Sequence, residues 1–190
     1  MDKIVITATS QVTEADLKLA RLGTRFGRLD LMSQLALLAV EKLGVNFDLF
    51  PRERIAICLA AKAGSLSTDF EFWKGRDALG GPSPTLFAYT LPSAALGEIA
   101  IRHRLTGPNL CFVGDSRDVL PEATDLLQRG EADACVCLYC QVVSDDVGKL
   151  IQSTSASNVS ALFLQRDGIG QILPEEFDSD MESFCAKFRA

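Results

Sequence analysis

Short apolar runs rich in β-branched residues recur along the chain, and they predict five strands. The run that follows Arg54 has no polar position up to Ala61, which is typical of a central strand covered on both faces. The other runs have the same strand length and are separated by stretches that contain Gly, Pro, Asn or Asp. The predicted strands are Lys3–Thr9, Arg54–Ala61, Asn109–Val113, Ala134–Val143 and Asn158–Gln165.

In most of the segments between these runs, the sequence pattern predicts helices. Asp30 is placed to cap a helix that ends near Lys42, with one apolar stripe that includes Leu35 and Leu38. Met181, Phe184, Cys185 and Phe188 recur at helical spacing, so an amphipathic helix over Asp178–Arg189 must dock on another part of the protein. The remaining predicted helices are a short one within 64–81, Pro92–Arg104, Pro121–Gln128 and 144–151.

Strands and helices therefore alternate, which favours an α/β fold layered around a five-stranded, mostly parallel, mixed sheet. The direction of the last strand stays open. A length of 190 residues suits one domain with a substantial core, and no repeat or linker divides residues 1–190.

Charge and hydropathy exclude several classes of partner. The 25 acidic and 19 basic residues give a net charge of −6, which disfavours nucleic acid and anionic membranes. The N-terminal stretch does not resemble a signal peptide, and no apolar run is long enough to span a bilayer. We therefore expect a cytoplasmic protein.

Six cysteines raise the question of a metal site. Cys135, Cys137 and Cys140 lie close together, but their segment has the composition of a strand, and alternation places Cys135 and Cys137 on one face. The one histidine, His103, is distant in sequence. We expect packed free thiols and no bound metal. Because no phosphate-binding glycine loop is present, we expect no cofactor either.

The segment around Ser116 carries a family resemblance. GEIAIRHRLTGPN, a short strand, a sharp turn, a helix and GEAD follow one another over residues 97–133. In this order they resemble the β-ketoacyl synthases, which condense acyl thioesters. VITATSQVT, RIAICLAAKAGSLST and SNVSALFLQRDG are similar to further strands of that family, so the resemblance covers most of the chain.

The resemblance implies a thiolase-like fold, in which a complete subunit has two similar halves. This chain would match the first half only. The second half, with the two histidines that assist the family's reaction, would be absent, and His103 matches neither of them. The family's catalytic cysteine follows the strand before the sharp turn, and that position is Ser116 here.

A serine at this position changes the chemistry. A helix N-terminus can lower the pKa of a thiol, whereas a serine hydroxyl needs an adjacent general base. Asp115 adjoins it in sequence, but a carboxylate is a poor base for an alcohol without an intervening histidine. Pro121 would also interrupt a helix that began at Ser116, so we expect the helix to start near Asp118 or later. The favoured interpretation is that Ser116 is a turn or cap residue.

Two enzymatic alternatives remain open. Gly114-Asp115-Ser116 is similar to a short block of one esterase class, although no downstream histidine could complete a triad. A small acyltransferase or thioesterase could use Ser116 or Cys111 on carrier-protein thioesters. Cys111 lies inside a predicted strand, which favours a packing role.

The leading hypothesis is a non-catalytic accessory subunit. The family includes chain-length factors, which lack the cysteine and pair with an active synthase in type II polyketide and aryl-polyene-like pathways. On this resemblance the chain would form a homo-oligomer or a heterodimer with a ketosynthase, and an acyl carrier protein would be a further partner. The implied interface or tunnel residues are Phe87, Tyr89, Leu91, Pro92, Leu96 and Phe112.

The helix after Ser116 also bears on assembly. In the family one face of this helix packs on the second half, so a lone first half would expose Val119, Ala123, Leu126 and Leu127 unless something covered them. The C-terminal helix, a second copy or a synthase partner could each provide that cover. We therefore expect an oligomer.

Overall fold

The strands of the protein form one mixed sheet. A computed structural model describes residues 3–20, 23, 26–77, 79–173 and 180–187. The strands within these residues are β1 (Ile4–Thr13), β2 (Ile55–Ala61), β3 (Asn109–Val113), β4 (Ala134–Val143), β5 (Ala156–Arg166) and β6 (Gln171–Ile172).

Helices connect most of these strands. In the same residues they are α1 (Glu14–Leu17), α2 (Leu31–Lys42), α3 (Leu66–Lys74), α4 (Pro84–Phe87), α5 (Ser93–His103), α6 (Val119–Gln128), α7 (Asp145–Leu150) and α8 (Met181–Lys187). None of those helices has the length and apolar character that crossing a bilayer requires.

The strand order is β3-β2-β4-β5-β1-β6. β2 pairs in parallel with β3 and β4, whereas β5 is antiparallel to β4 and β1, and β6 is antiparallel to β1. Strands β1 to β4 therefore run in one direction, which confirms the mostly parallel, mixed sheet. The strand number is corrected from five to six, because two-residue β6 is too short to leave a pattern in the sequence.

The central strands have no polar face. Ile55, Ile57 and Leu59 point toward α2 and α5, and the alternate residues Ala56 and Cys58 point toward α6 and α8. All seven residues of β2 are buried. The expected α/β layering is therefore present, with helices on both faces of the sheet.

The starts of α2 and α6 agree with the capping and proline rules applied to the sequence. The Asp30 side chain accepts a hydrogen bond from the Ser33 N–H at 3.1 Å, which caps α2 as predicted. α6 begins at Val119, so Pro121 lies in its first turn and breaks no helical hydrogen bond. For the predicted helix over Asp178–Arg189, Met181–Lys187 is helical; positions 178, 179, 188 and 189 lie outside the described residues.

The two short motifs of the family resemblance have structural roles. Arg54 donates from Nε and Nη2 to the Asp133 carboxylate of GEAD at 3.0 and 2.8 Å, and Arg166 donates to it at 2.7 Å. This ion pair joins the ends of β2, β4 and β5. The Arg54 hydrogen bond is the main cause that lowers the pKa of Asp133.

Gly107 of GPN packs directly on the backbone that enters β2. A Cβ atom at this position would lie 2.3 Å from the Ile55 carbonyl oxygen. We predict that Gly107→Ala lowers the free energy of unfolding by about 2–3 kcal/mol, because the backbone must move to relieve the overlap. Urea denaturation followed by circular dichroism measures this change.

Gly97 provides a matched control. It lies in α5, and a Cβ there would meet nothing within 4 Å. Gly97→Ala should stabilise the protein by up to about 1 kcal/mol, since alanine is the better helix former. Equal effects of the two substitutions would contradict the packing argument.

Candidate functional site

The turn after β3 is held by its own acidic side chains. The Asp115 N–H donates to Asp118 Oδ2 at 2.9 Å, and the Arg117 N–H donates to Asp115 Oδ1 at 3.2 Å. A Cβ at position 114 would lie 2.5 Å from Asp118 Oδ2, so any larger residue there would displace the Asp118 side chain from its bond to the Asp115 N–H. Residues Ser116–Asp118 form a single 3₁₀ turn, which leads directly into α6. The local sequence therefore specifies a capped turn.

The carboxylate beside Ser116 is not tuned to act as a base. The hydrogen bond from the Arg117 N–H, aided by the Arg117 side chain, lowers the pKa of Asp115 below its ordinary value. A lowered pKa makes Asp115 a weaker acceptor for the proton of an alcohol. This agrees with the expectation from the sequence.

Ser116 is buried under the C-terminal helix. Its side chain is 2% exposed. The hydroxyl lies 3.4 Å from Asp115 Oδ1, to which it donates, and it accepts the N–H of Met181, the first residue of α8, at 3.4 Å. The hydroxyl thus contributes to packing between the turn and α8, as expected of a turn or cap residue, and it has no open approach for a substrate.

His103 cannot complete a catalytic triad with Ser116. It belongs to α5, which packs on one face of the sheet, while Ser116 lies beside α6 on the other face. The His103 ring packs edge-on against Phe47 at 5.0 Å, and Nε2 lies 3.8 Å from Glu41 Oε1. Burial lowers the pKa of His103. Because His103 is the one histidine of the sequence, the esterase interpretation has no support.

The cysteines are poor nucleophiles. Cys111 is half-buried on the α2–α5 side of β3, and burial raises the pKa of its thiol. Cys58, Cys135 and Cys137 form a buried row on the other face, with Sγ–Sγ distances of 3.7 and 3.8 Å. The hydrogen bond with Cys135 and burial raise the pKa of Cys58, and burial raises the pKa of Cys135 and Cys137. In the part of the chain that the structure describes, no group of three or more His, Cys, Asp or Glu side chains is arranged to hold a metal.

The six candidate interface or tunnel residues fall into three groups, which are exposed, buried in the core and partly buried. Phe87 and Leu91 are 61% and 64% exposed. Leu96 lies in the core between α5 and the sheet, so it is not available to a partner at the surface. The other three are partly buried: the Tyr89 hydroxyl donates to Glu98 Oε1 at 3.1 Å, Pro92 begins α5, and Phe112 packs on the α6 side.

β3 is an edge strand whose outer side pairs with no other strand of the described chain. Its last residue, Val113, is 67% exposed. Val113 lies against Gly64, and the adjacent Ser65 donates its hydroxyl to the Thr90 carbonyl oxygen at 2.7 Å. We call the β3 edge, Val113, Leu91 and Phe87 the edge surface. It is apolar and open to solvent.

The apolar face of α6 does not need a second copy or a synthase partner to cover it. Val119, Ala123, Leu126 and Leu127 are all buried, because they point toward β2 and β4 and pack with the residues of α8. The chain itself supplies the cover. This helix face therefore gives no argument for an oligomer.

The fold is that of the ketosynthases and chain-length factors. "The ishigamide ketosynthase/chain length factor" is similar, with a TM-score of 0.72 and 19% identity over 90% of this chain and 64% of that one. A ketosynthase (ApeO) in complex with its chain length factor (ApeC) from Xenorhabdus doucetiae gives a TM-score of 0.66 and 14% identity over 87% and 80% of the two chains. A third similar structure is the AntDE:AntF complex, a type II polyketide synthase acyl-carrier protein with its ketosynthase bound to the hexaketide. Its TM-score is 0.70, with 14% identity over 87% of this chain and 63% of that one.

These similarities establish a ketosynthase-like, thiolase-type fold, as the resemblance implied. The chain spans just under two thirds of the ishigamide and AntDE:AntF chains and four fifths of the chain matched in the ApeO–ApeC complex. The sequence matches no protein-family model and no curated protein.

The buried position of Ser116 can be tested with cysteine substitutions. We predict that Ser116→Cys reacts with iodoacetamide about tenfold or more slowly than Arg117→Cys, because position 116 lies under α8 while the Arg117 side chain is exposed. Mass spectrometry of the native protein measures both rates. The wild-type chain, whose other cysteines are buried or half-buried, provides the background. Equal rates at the two positions would show an accessible nucleophile position.

Proposed function

We propose that the chain is a non-catalytic, chain-length-factor-like accessory subunit that pairs with an active ketosynthase in type II fatty-acid or polyketide biosynthesis, aryl-polyene systems included. One observation carries this proposal: the residue at the nucleophile position is a serine whose hydroxyl is buried and bonded to the chain's own C-terminal helix. A condensing enzyme requires an accessible nucleophile there, whereas an accessory subunit does not.

The edge surface is the place where we expect the ketosynthase to dock. An unpaired edge strand presents backbone N–H and C=O groups that a strand of another chain can pair with. Val113 ends this strand. Leu91 and Phe87 flank Thr90, which Ser65 bonds beside the end of β2. The exposed apolar area of Val113, Leu91 and Phe87 would lose its contact with water on docking. The ApeO–ApeC complex is such a pair of a ketosynthase with its chain length factor, and the ishigamide ketosynthase/chain length factor belongs to the same kind of system.

A carrier protein would then meet the pair through its ketosynthase. The AntDE:AntF structure is described as a carrier protein in complex with a ketosynthase. This chain has a net charge of −6, so long-range attraction does not favour direct docking of an acidic carrier. The setting that we propose is the cytoplasm. No observation favours the alternative acyltransferase or thioesterase, since within the described residues neither Ser116 nor Cys111 has an activating base.

Substitutions on the edge surface test the proposal. We predict that Leu91→Glu and Val113→Glu each weaken pairing with the ketosynthase of the same gene cluster by about tenfold or more, because a charge would be buried against the partner. Co-expression followed by analytical ultracentrifugation of the purified complex measures the affinity. Both side chains are largely exposed, so the fold of the free chain should be unaffected.

Ile172→Glu is the matched control. Ile172 is an exposed apolar residue on β6, at the opposite edge of the same sheet. This variant should pair with wild-type affinity. A stable complex that tolerates both edge-surface substitutions would refute the docking site. A chain that forms homodimers and excludes the ketosynthase would refute the heterodimer.

A further inference from the structure

The C-terminal helix α8 is held to the sheet by a small apolar contact. Met181, Phe184 and Cys185 are all buried against the side of the sheet that carries α6. Their neighbours on that face include Ile6 and Leu162, from β1 and β5. A helix of seven residues has little stability of its own, so this docking is what keeps α8 folded.

Polar contacts fix the first turn of α8 over the turn after β3. The Met181 N–H donates to Ser116 Oγ, as described above. Asp180 caps the helix and accepts the Ser183 N–H at 2.6 Å. Glu182 Oε2 accepts a hydrogen bond from Gln141 Nε2 of β4 at 2.9 Å. The hydrogen bonds to Ser116 and Gln141 are lost if α8 leaves the sheet, whereas the Asp180 cap lies within the helix segment itself.

Glu182 places a carboxylate in a crowded and partly buried position. Asp180 and Asp115 are the acidic groups that face it, Lys62 is the basic group, and the Tyr139 phenol lies close by on β4. Burial is the main cause that raises the pKa of Glu182, and the repulsion from Asp180 adds to it. Lys62 and a hydrogen bond with Asn158 act in the opposite direction.

Unpartnered polar atoms lie on the same face. Among the described residues, Ser160 Oγ and Asn158 Oδ1 are buried and have no hydrogen-bond partner. Asn158 Oδ1 can accept a hydrogen bond, but the ionised Glu182 has no proton to donate. The Asn158 side chain already forms a hydrogen bond with the Glu182 carboxylate. When Glu182 is protonated, its O–H can donate to the same Asn158 side chain.

We propose that α8 is a strap closed over the turn that contains Ser116, and that Glu182 makes its closure sensitive to pH. The strap covers Ser116 and the polar side chains of β4 and β5, and it opens without unfolding of the sheet and α6. This inference does not depend on the proposed function, since it concerns contacts within one chain.

The sign of the pH dependence follows from proton linkage. The docked helix binds a proton at Glu182 more tightly than the detached helix does, because the docked pKa is raised. Closure is therefore strongest below the ordinary pKa of a glutamate and weakens as the pH rises through the raised pKa. His103, which titrates in a neighbouring range, lies on the other face of the sheet.

Hydrogen exchange followed by mass spectrometry tests the strap. We expect the protection factors of α8 amides, corrected for intrinsic exchange, to fall several-fold between about pH 5 and about pH 8, while those of α6 fall less. In Glu182→Gln the α8 protection should lose this pH dependence and exceed the wild-type value at the higher pH. The exposed Glu71→Gln in α3 is the matched control and should behave as wild type.

A second variant tests whether α8 opens on its own. Phe184→Ala removes a buried ring and should lower α8 protection at every pH without changing that of α6. Equal losses in α8 and α6 would mean that the helix opens only with the whole domain, which would overturn the strap. A pH dependence that persists in Glu182→Gln would overturn the role of Glu182.

Discussion

The structure depends on one constraint, which is that β2 and β4 are apolar on both faces. Every residue of β2 and nearly every residue of β4 is buried. A strand of this kind is stable only when helices cover both sides of the sheet. Helices α2 and α5 cover one side, and α6 together with α8 covers the other. α6 lies over β2 and β4, and α8 docks beside it over β1 and β5.

That docking decides the chemistry of the site. α6 must lie along the sheet, so the turn before it brings Ser116 to the same surface on which α8 packs. The hydroxyl becomes part of a helix contact, and the nearby Asp115 is committed to capping. The lone histidine lies on the far face. The serine at position 116 and the helix that covers it both leave this turn without an accessible nucleophile.

The sequence predicts those features that local patterns control. The runs after Arg54 and Asn109 form strands, Asp30 caps α2, and Pro121 places the start of α6 correctly. Features that depend on tertiary packing were missed or misjudged. Two-residue β6 has no pattern, and the direction in which Val119 and Leu127 face depends on how α6 lies on the sheet. Asn109–Val113 has the composition of any strand, so its position at the edge was not visible.

The two edges of the sheet differ in what they offer to another chain. β6 pairs with only Val5 and Ile6 of β1, whereas β3 is an edge strand of five residues that ends at exposed Val113. A strand of another chain that pairs along β3 would form a hydrogen-bonded ladder and bury the apolar area of Val113. Because α6 and α8 already cover one face of the sheet, the β3 edge is more accessible to another chain than that face is. The described chain is thus covered on the α6 side and open along β3, which is the geometry that the proposed docking site requires.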